Sequence, residues 1–216
     1  DLANHHKLDD NQLAICFGTK EGEMMVGGWD ESIPGANNKT AASNLQWTNM
    51  QTHDNFYRAN IIKISVGDIL EDGKQNNVLD VSNFKTISPM IDCGSTFSFM
   101  KNPNFDKLRN SLIEYCNKDP KRRCQSEAGR NPGGDESGDS TLSLGCYKFS
   151  TDYSIRMKQM STFPSITMKF QKSDGPAGQT LNMCVPADQY FFLSGAPANV
   201  SCGGVFKDAQ DVIGAN

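Results

Sequence analysis

The chain has 216 residues, a formal net charge of −4 and a hydrophobic content of 37%. This length allows a sizeable core, and 19 glycines with 9 prolines indicate a turn-rich globular chain more than a helical bundle. The weakly acidic balance gives no basis for nucleic acid as a partner. No apolar run approaches the length needed to span a membrane.

The cysteines indicate an oxidising compartment. There are seven, none in a CxxC pair that would favour zinc: Cys16, Cys93, Cys116, Cys124, Cys146, Cys184 and Cys202. Two Asn-x-Ser/Thr triplets predict glycosylation at Asn38 and Asn199, which agrees with a secretory or extracellular protein. No signal peptide opens the chain, so we expect targeting information, and any membrane anchor, to lie outside the segment.

The first part of the chain predicts a tail followed by a hairpin. Residues 1–10 are polar, and the adjacent His5 and His6 do not define a metal geometry, so we predict a tail or linker with no metal and no cofactor. The runs at 13–17 and 23–26 alternate as strands do, with a glycine-containing turn between them.

The next strand is marked by three apolar residues on one face: Ile62, Ile64 and Val66. The pairs Gly67-Asp68 and Asp72-Gly73 then predict turns. Asp68 and Asp72 also raise the alternative of calcium binding, but they lack the ligand spacing of a helix-loop-helix site, so turn chemistry is favoured.

One stretch carries chemistry, Pro89-Met90-Ile91-Asp92-Cys93-Gly94-Ser95-Thr96-Phe97-Ser98-Phe99. A single carboxylate, Asp92, follows apolar residues typical of a buried strand. Gly94 permits a sharp turn, and the Ser95 hydroxyl can return a hydrogen bond to the Asp92 carboxylate. The pattern predicts an active-site turn, with an ordinary Asp-Gly turn between strands as the alternative.

A helix is predicted directly afterwards, with Asn102 as cap and Pro103 at its first position. Its core-facing stripe consists of Phe105, Leu108, Leu112 and Tyr115. Residues 117–141 are predicted to form a surface loop, which a Cys116–Cys124 disulfide could close at its start. The basic triplet 121–123 in this loop is interpreted as a solvated charge cluster, with a cleavage or docking site as the alternative.

The remaining segment is entirely β in pattern. Apolar residues alternate in three runs: 146–149, 166–170 and 181–185. Phe163-Pro164 fits the start of the middle run, where the missing proline donor does no harm.

The Met90–Thr96 pattern, hydrophobic-hydrophobic-Asp-x-Gly-Ser-Thr, resembles the signature of pepsin-like aspartic proteases. Residues 11–216 can be laid against the C-terminal lobe of that family, with further weak markers in the family's order: Gly27-Gly28-Trp29-Asp30, Trp47, Cys146-Tyr147, Phe163-Pro164, Pro186, Tyr190, Cys202 and Val212-Ile213-Gly214. Cysteine-rich, membrane-anchored members such as plasmepsin V and β-secretase, and the plant-type enzymes, look most similar. The resemblance implies a mainly β, closed, barrel-like lobe with one or two short helices.

The sequence departs from the family pattern in three respects. It lacks the N-terminal lobe with the first Asp motif, and it lacks the strands that normally follow Ile213-Gly214. Cys93 also stands where Thr or Ser usually links the two lobes through its hydroxyl, and a thiol is a weaker hydrogen-bond partner.

The resemblance implies an aspartic endopeptidase in which Asp92 is catalytic and a second Asp comes from the N-terminal lobe of the same protein. Gly94, Ser95 and Thr96 would shape the turn and bind the backbone of a peptide or protein substrate. The resemblance further implies pocket-lining roles for Met90 and Val212, which can equally be core residues, and a disulfide between Cys146 and Cys202. The alternatives are a noncatalytic, protease-like module that binds peptides in the secretory pathway, and a dimer with one Asp per chain.

Overall fold

The computed structural model describes residues 13–17, 22–26, 48, 50–51, 58–69, 75–81, 87–90, 97–119, 121–127, 143–171, 179–193 and 199–208. In chain order the elements are β1 (Leu13–Phe17), β2 (Gly22–Val26), β3 (Met50–Gln51), β4 (Arg58–Ala59), β5 (Ile61–Ile69), β6 (Gln75–Asp80), β7 (Ser98–Met100), α1 (Asn104–Lys118), β8 (Cys146–Lys148), α2 (Tyr153–Met160), β9 (Ser165–Gln171), β10 (Thr180–Val185), α3 (Ala187–Tyr190), β11 (Phe191–Leu193), β12 (Val200–Gly203) and β13 (Val205–Lys207). The fold is mainly β with a few helices.

The chain divides into two compact units, Asp1–Trp47 and Thr48–Asn216. In the first unit, β1 and β2 form an antiparallel hairpin in which Leu13 pairs with Val26 and Phe17 with Gly22. The hairpin predicted from the alternating pattern is therefore confirmed.

The second unit is built on a four-stranded antiparallel sheet with the order β10-β9-β5-β6. Its long central strand β5 buries Ile64 and Val66, which are 1% and 0% exposed. Ile62 is only partly buried, whereas its neighbour Ile61 is in the core. The pairing of β5 with β9 shifts register between Ile61 and Lys63, so simple alternation does not hold at the start of the strand.

The predicted turn at Gly67-Asp68 is wrong, because β5 continues through both residues to Ile69. The pairing of β5 with β6 shifts register between Val66 and Asp68, so Gly67 lies at a β-bulge. A Cβ atom added at Gly67 would lie 2.8 Å from the backbone oxygen of Asn76 in β6. Close approach of the neighbouring strand therefore explains the glycine.

Helix α1 packs against β5 and β6. The predicted stripe is confirmed, since all four of its residues are at most 1% exposed: Phe105, Leu108, Leu112 and Tyr115. The predicted cap is wrong by one position, because Pro103 occupies the N-cap, makes no side-chain cap hydrogen bond, and is followed by the first helical residue, Asn104. Within the described part of the chain, no helix is long and apolar enough to cross a membrane.

A second sheet of the unit is the three-stranded antiparallel sheet β11-β12-β8. It contributes an aromatic cluster with edge-to-face contacts, in which the Phe163 ring centroid lies 4.7 Å from that of Tyr147 and 5.0 Å from that of Phe191. The predicted closed, barrel-like sheet is not formed by the described strands. They fall into separate sheets, and in the largest of these the described strands β10 and β6 lie at the edges.

Residues 153–160 form helix α2, so the prediction of an entirely β segment is wrong here. The Asp152 side chain accepts a hydrogen bond from the Ile155 backbone N–H at 3.0 Å and caps the helix. Only Met160 of this helix is buried, so the hydrophobic pattern carries little helical signal.

The beginning of the predicted surface loop is held by a disulfide between Cys116 and Cys124. Helix α1 extends to Lys118, two residues into the range predicted as loop, and turns follow at 121–127. The prediction of a solvated charge cluster at 121–123 is only partly correct, since the Arg123 side chain is 16% exposed and packs over the Tyr115 ring.

Candidate functional site

The segment that precedes Asp92 is held by strand contacts. Ile87 and Ile61 exchange backbone hydrogen bonds of 3.1 and 2.9 Å, and Met90 forms an isolated antiparallel bridge with Arg58. The Arg58 guanidinium also donates to the Ser88 carbonyl at 3.0 Å. The backbone is thus fixed up to Met90, two residues before the candidate catalytic carboxylate.

The segment that follows Asp92 is held on a different partner. Strand β7 pairs in parallel with β13, with Ser98 opposite Val205 and Met100 opposite Lys207. The pairing is extended at both ends, because the Ser98 N–H donates to the Gly204 carbonyl at 2.9 Å and the Asp208 N–H donates to the Met100 carbonyl at 3.1 Å.

Aromatic packing fixes the same end of the segment. The Phe97 ring centroid lies 4.5 Å from that of Phe192 and 4.9 Å from that of Phe206. Phe97 is therefore tied both to β11 and to β13. The short stretch 91–96 connects this anchor to the one at Met90.

Most of the predicted site residues lie outside the described residues: Asp92, Gly94, Ser95, Thr96 and Val212. The described member of the set is Met90, whose side chain is 45% exposed. Met90 is therefore not among the buried residues of the described part of the chain, and its role beside a substrate pocket stays a prediction. An exposed methionine beside the candidate turn can contact a bound peptide.

Arg58 is a residue that the sequence analysis missed. Its backbone pairs with Met90 and its side chain donates to the Ser88 carbonyl, so it contacts the segment just before the candidate turn in two ways. A single arginine gives no local signal for such a contact across 30 residues.

The two cysteines that the resemblance implies to be paired, Cys146 and Cys202, form a disulfide that joins β8 to β12. Cys184 in β10 is a free thiol, with its sulfur 3.0 Å from the Thr167 hydroxyl. Disulfides indicate an oxidising, extracellular or secretory environment.

Of the two predicted glycosylation sites, Asn199 is among the described residues. Asn199 is half-buried in a turn before β12, and its carbonyl accepts a hydrogen bond from the Phe149 N–H at 2.8 Å. Asn38 lies outside the described residues.

One titratable group in the core is strongly perturbed. Burial raises the pKa of Tyr190 well above its ordinary value of 10.0, and the neighbouring phenol of Tyr147 raises it further. The Tyr190 hydroxyl donates to the Pro164 carbonyl at 2.7 Å. Tyr190 therefore stays protonated and serves as a structural donor.

Among the described residues, no three His, Cys, Asp or Glu side chains are grouped so that they could hold a metal ion.

No protein-family model matches the chain, and no curated protein is similar to it at a significant level.

Proposed function

We propose that this chain is the C-terminal lobe of a pepsin-like aspartic endopeptidase, with Asp92 as one of two catalytic carboxylates. The observation that carries the proposal is the Met90–Thr96 pattern, in which one Asp follows apolar residues and precedes Gly94 and Ser95. The second carboxylate is proposed to come from an N-terminal lobe of the same protein.

The chemistry requires two carboxylates so close together that they share one proton and titrate as a unit. The ionised carboxylate removes a proton from a water held between the two, and the water oxygen attacks the scissile carbonyl carbon. The protonated carboxylate stabilises the developing oxyanion. A proton then passes to the leaving nitrogen as the C–N bond breaks, which releases a new carboxylate and a new amine.

Three observations support the proposal. The backbone is anchored on both sides of the candidate turn, by Ile61 and Arg58 upstream and by β13 downstream. Such anchoring suits a carboxylate that must be held in one position, because orientation is worth on the order of 7–11 kcal/mol in reactions of this kind. Met90, for which the resemblance implies a place beside the substrate pocket, is exposed, and Cys146 is paired with Cys202 as the resemblance implies.

The test compares the full-length protein, including the residues upstream of this segment, with its Asp92→Asn variant. We expect pepstatin-sensitive cleavage of a peptide library at acid pH by the wild type and none by the variant, because an amide neither ionises nor shares a proton. Asp80→Asn is the matched control, since Asp80 is an exposed carboxylate paired with Lys63 at 2.7 Å. Normal turnover by Asp92→Asn would exclude the proposed role.

Two further outcomes would select the alternatives. A full-length wild type that binds peptides without cleaving them would identify a noncatalytic peptide-binding module. The 216-residue segment alone is expected to be inactive, because Asp92 then has no second carboxylate. Activity of this segment that rose with the square of its concentration would instead identify a homodimer.

A further inference from the structure

A cavity of about 250 Å³ lies beside helix α2, where α2, α3, β11 and β12 each contribute lining residues. It is built from described residues of the second unit, and none of them belongs to the candidate catalytic turn. The inference drawn from this cavity does not depend on the proposed function.

Two opposite charges line the cavity, the Arg156 guanidinium from α2 and the Asp188 carboxylate from α3. Across the ranges that the structure describes, neither side chain forms an ion pair. Arg156 lies over the Tyr153 ring, 5.6 Å from its centroid, so the aromatic ring supports the guanidinium without neutralising it. The cavity therefore presents a cation and an anion that are both available to a ligand.

A buried serine also lines the cavity. Ser201 in β12 is 1% exposed, and its Oγ has no hydrogen-bond partner among the described residues. Buried hydroxyls are nearly always hydrogen-bonded, because leaving one without a partner costs roughly 1–3 kcal/mol. A polar atom of a ligand in the cavity would satisfy this hydroxyl once the Ser201 side chain rotated toward it.

The rest of the lining is apolar and consists largely of Met157, Met160 and Phe191. Met160 and Phe191 are 6% and 8% exposed, so they form a firm wall on the core side. Methionine side chains adapt to ligands of irregular shape. This wall suits a short aliphatic or aromatic group.

We infer that the cavity binds a free α-amino acid with an apolar side chain. Arg156 pairs with the ligand's carboxylate, Asp188 pairs with its ammonium group, and Ser201 donates a hydrogen bond to the carboxylate. The apolar side chain packs on Met157 and Phe191. The volume supports a ligand of this size, because it lies below the range of roughly 300–1,000 Å³ that is typical for drug-sized molecules.

The test is isothermal titration of the full chain with L-leucine, L-methionine and L-phenylalanine, and with two leucine derivatives that each lack one charge. N-acetyl-leucine keeps the carboxylate, and leucinamide keeps the ammonium group. Arg156→Gln is expected to weaken leucine binding about tenfold or more and to leave leucinamide binding unchanged. Asp188→Asn is expected to weaken leucine binding similarly and to leave N-acetyl-leucine binding unchanged.

Arg122→Gln and Asp80→Asn are matched controls, because each removes one exposed charge outside the cavity. Circular dichroism and thermal unfolding of each variant establish that it is folded. This crossed dependence on two charges cannot arise from loss of folding. Absence of binding by all three amino acids at millimolar concentration, or equal binding by wild type and both cavity variants, would overturn the inference.

Discussion

The phenolic hydroxyl of Tyr115 in α1 donates a hydrogen bond to the carboxylate of Asp68 in β5. Arg123 completes the group, with its guanidinium 4.2 Å from the Tyr115 ring centroid and 3.8 Å from the Asp68 carboxylate. Because Arg123 is next to the disulfide-bonded Cys124, this group ties the loop after α1 to both the helix and the main sheet.

Removing the Tyr115 hydroxyl should destabilise the second unit. Tyr115→Phe keeps the buried ring but leaves the Asp68 carboxylate without this donor, and hydrogen bonds to charged groups contribute roughly 1.5–3 kcal/mol. We expect a loss of that order in the free energy of unfolding by urea, and a much smaller loss for Tyr153→Phe, whose side chain is 67% exposed. A double-mutant cycle with Asp68→Asn should give a coupling free energy clearly above zero, and additive effects would contradict the finding.

The β-bulge at Gly67 leads to a second prediction. Gly67→Ala should destabilise the chain by about 1–3 kcal/mol, because the new methyl group would lie 2.8 Å from the Asn76 carbonyl oxygen and β6 would have to move. Lys63→Ala on the same strand is the control, since it removes only an exposed ion pair, worth about 0–1 kcal/mol. Urea unfolding curves measure both. Equal stability of Gly67→Ala and wild type would show that the strands do not approach so closely.

The two disulfides should contribute unequally to stability. Cys146–Cys202 spans 56 residues in sequence and Cys116–Cys124 spans 8. In the chain-entropy model they stabilise the fold by about 4 and about 2.5 kcal/mol respectively. We therefore expect the double alanine variant of the first pair to lose more of its free energy of unfolding than that of the second. Peptide mapping under nonreducing conditions that found Cys146 paired elsewhere would contradict this prediction.

From the raised pKa of Tyr190 we predict a loss of stability at alkaline pH. Its pKa is raised in the folded state by burial, so the folded protein retains this proton at pH values where the unfolded chain has released it. The stabilisation is complete below the unfolded pKa of about 10 and decreases as pH rises above it, by at most about 1.4 kcal/mol per pH unit. Tyr190→Phe removes the hydrogen bond to the Pro164 carbonyl and should lower the free energy of unfolding by about 1 kcal/mol at neutral pH. Above pH 10, the free energy of unfolding of Tyr190→Phe should decrease less with rising pH than that of the wild type.

Urea midpoints measured between about pH 8 and pH 11 for both proteins test the prediction. Only the difference between the two curves is assigned to Tyr190, because lysines and the other tyrosines titrate in both proteins. Parallel curves for the two proteins would contradict the raised pKa.

The elements predicted correctly from sequence are those whose burial follows a regular period. The α1 stripe from Phe105 to Tyr115 repeats at helical spacing and is buried along its whole length, so the pattern identifies both the helix and its inner face. Helix α2 was missed because a single residue, Met160, is buried. Its local signal is the Asp152 cap, which resembles the start of many turns.

Contacts across the fold explain the other differences. Gly67-Asp68 has the composition of a turn, and only the approach of Asn76 from β6 shows that it is a bulge within a strand. Likewise, the partial burial of Arg123 depends on Tyr115 and Asp68, which no local charge pattern indicates.

The candidate site also has features that the local sequence predicts and features that depend on contacts across the fold. The order of residues around Asp92 predicts a turn with a carboxylate, because glycine and hydroxyl side chains have defined local effects. The anchors of that turn, Arg58 upstream and β13 downstream, are tertiary contacts. The exposure of Met90 was left open by the sequence.

The parallel pairing of β7 with β13 also sets an order of events during synthesis. Strand β13 leaves the ribosome roughly a hundred residues after β7, and pairing between such distant segments requires closure of the whole intervening loop. The upstream anchor at Ile61 and Ile87 is local and can form early. The described residues on the two sides of Asp92 are therefore anchored at different times: Met90 can pair with Arg58 early, whereas Ser98 can pair with Val205 only after β13 has been translated.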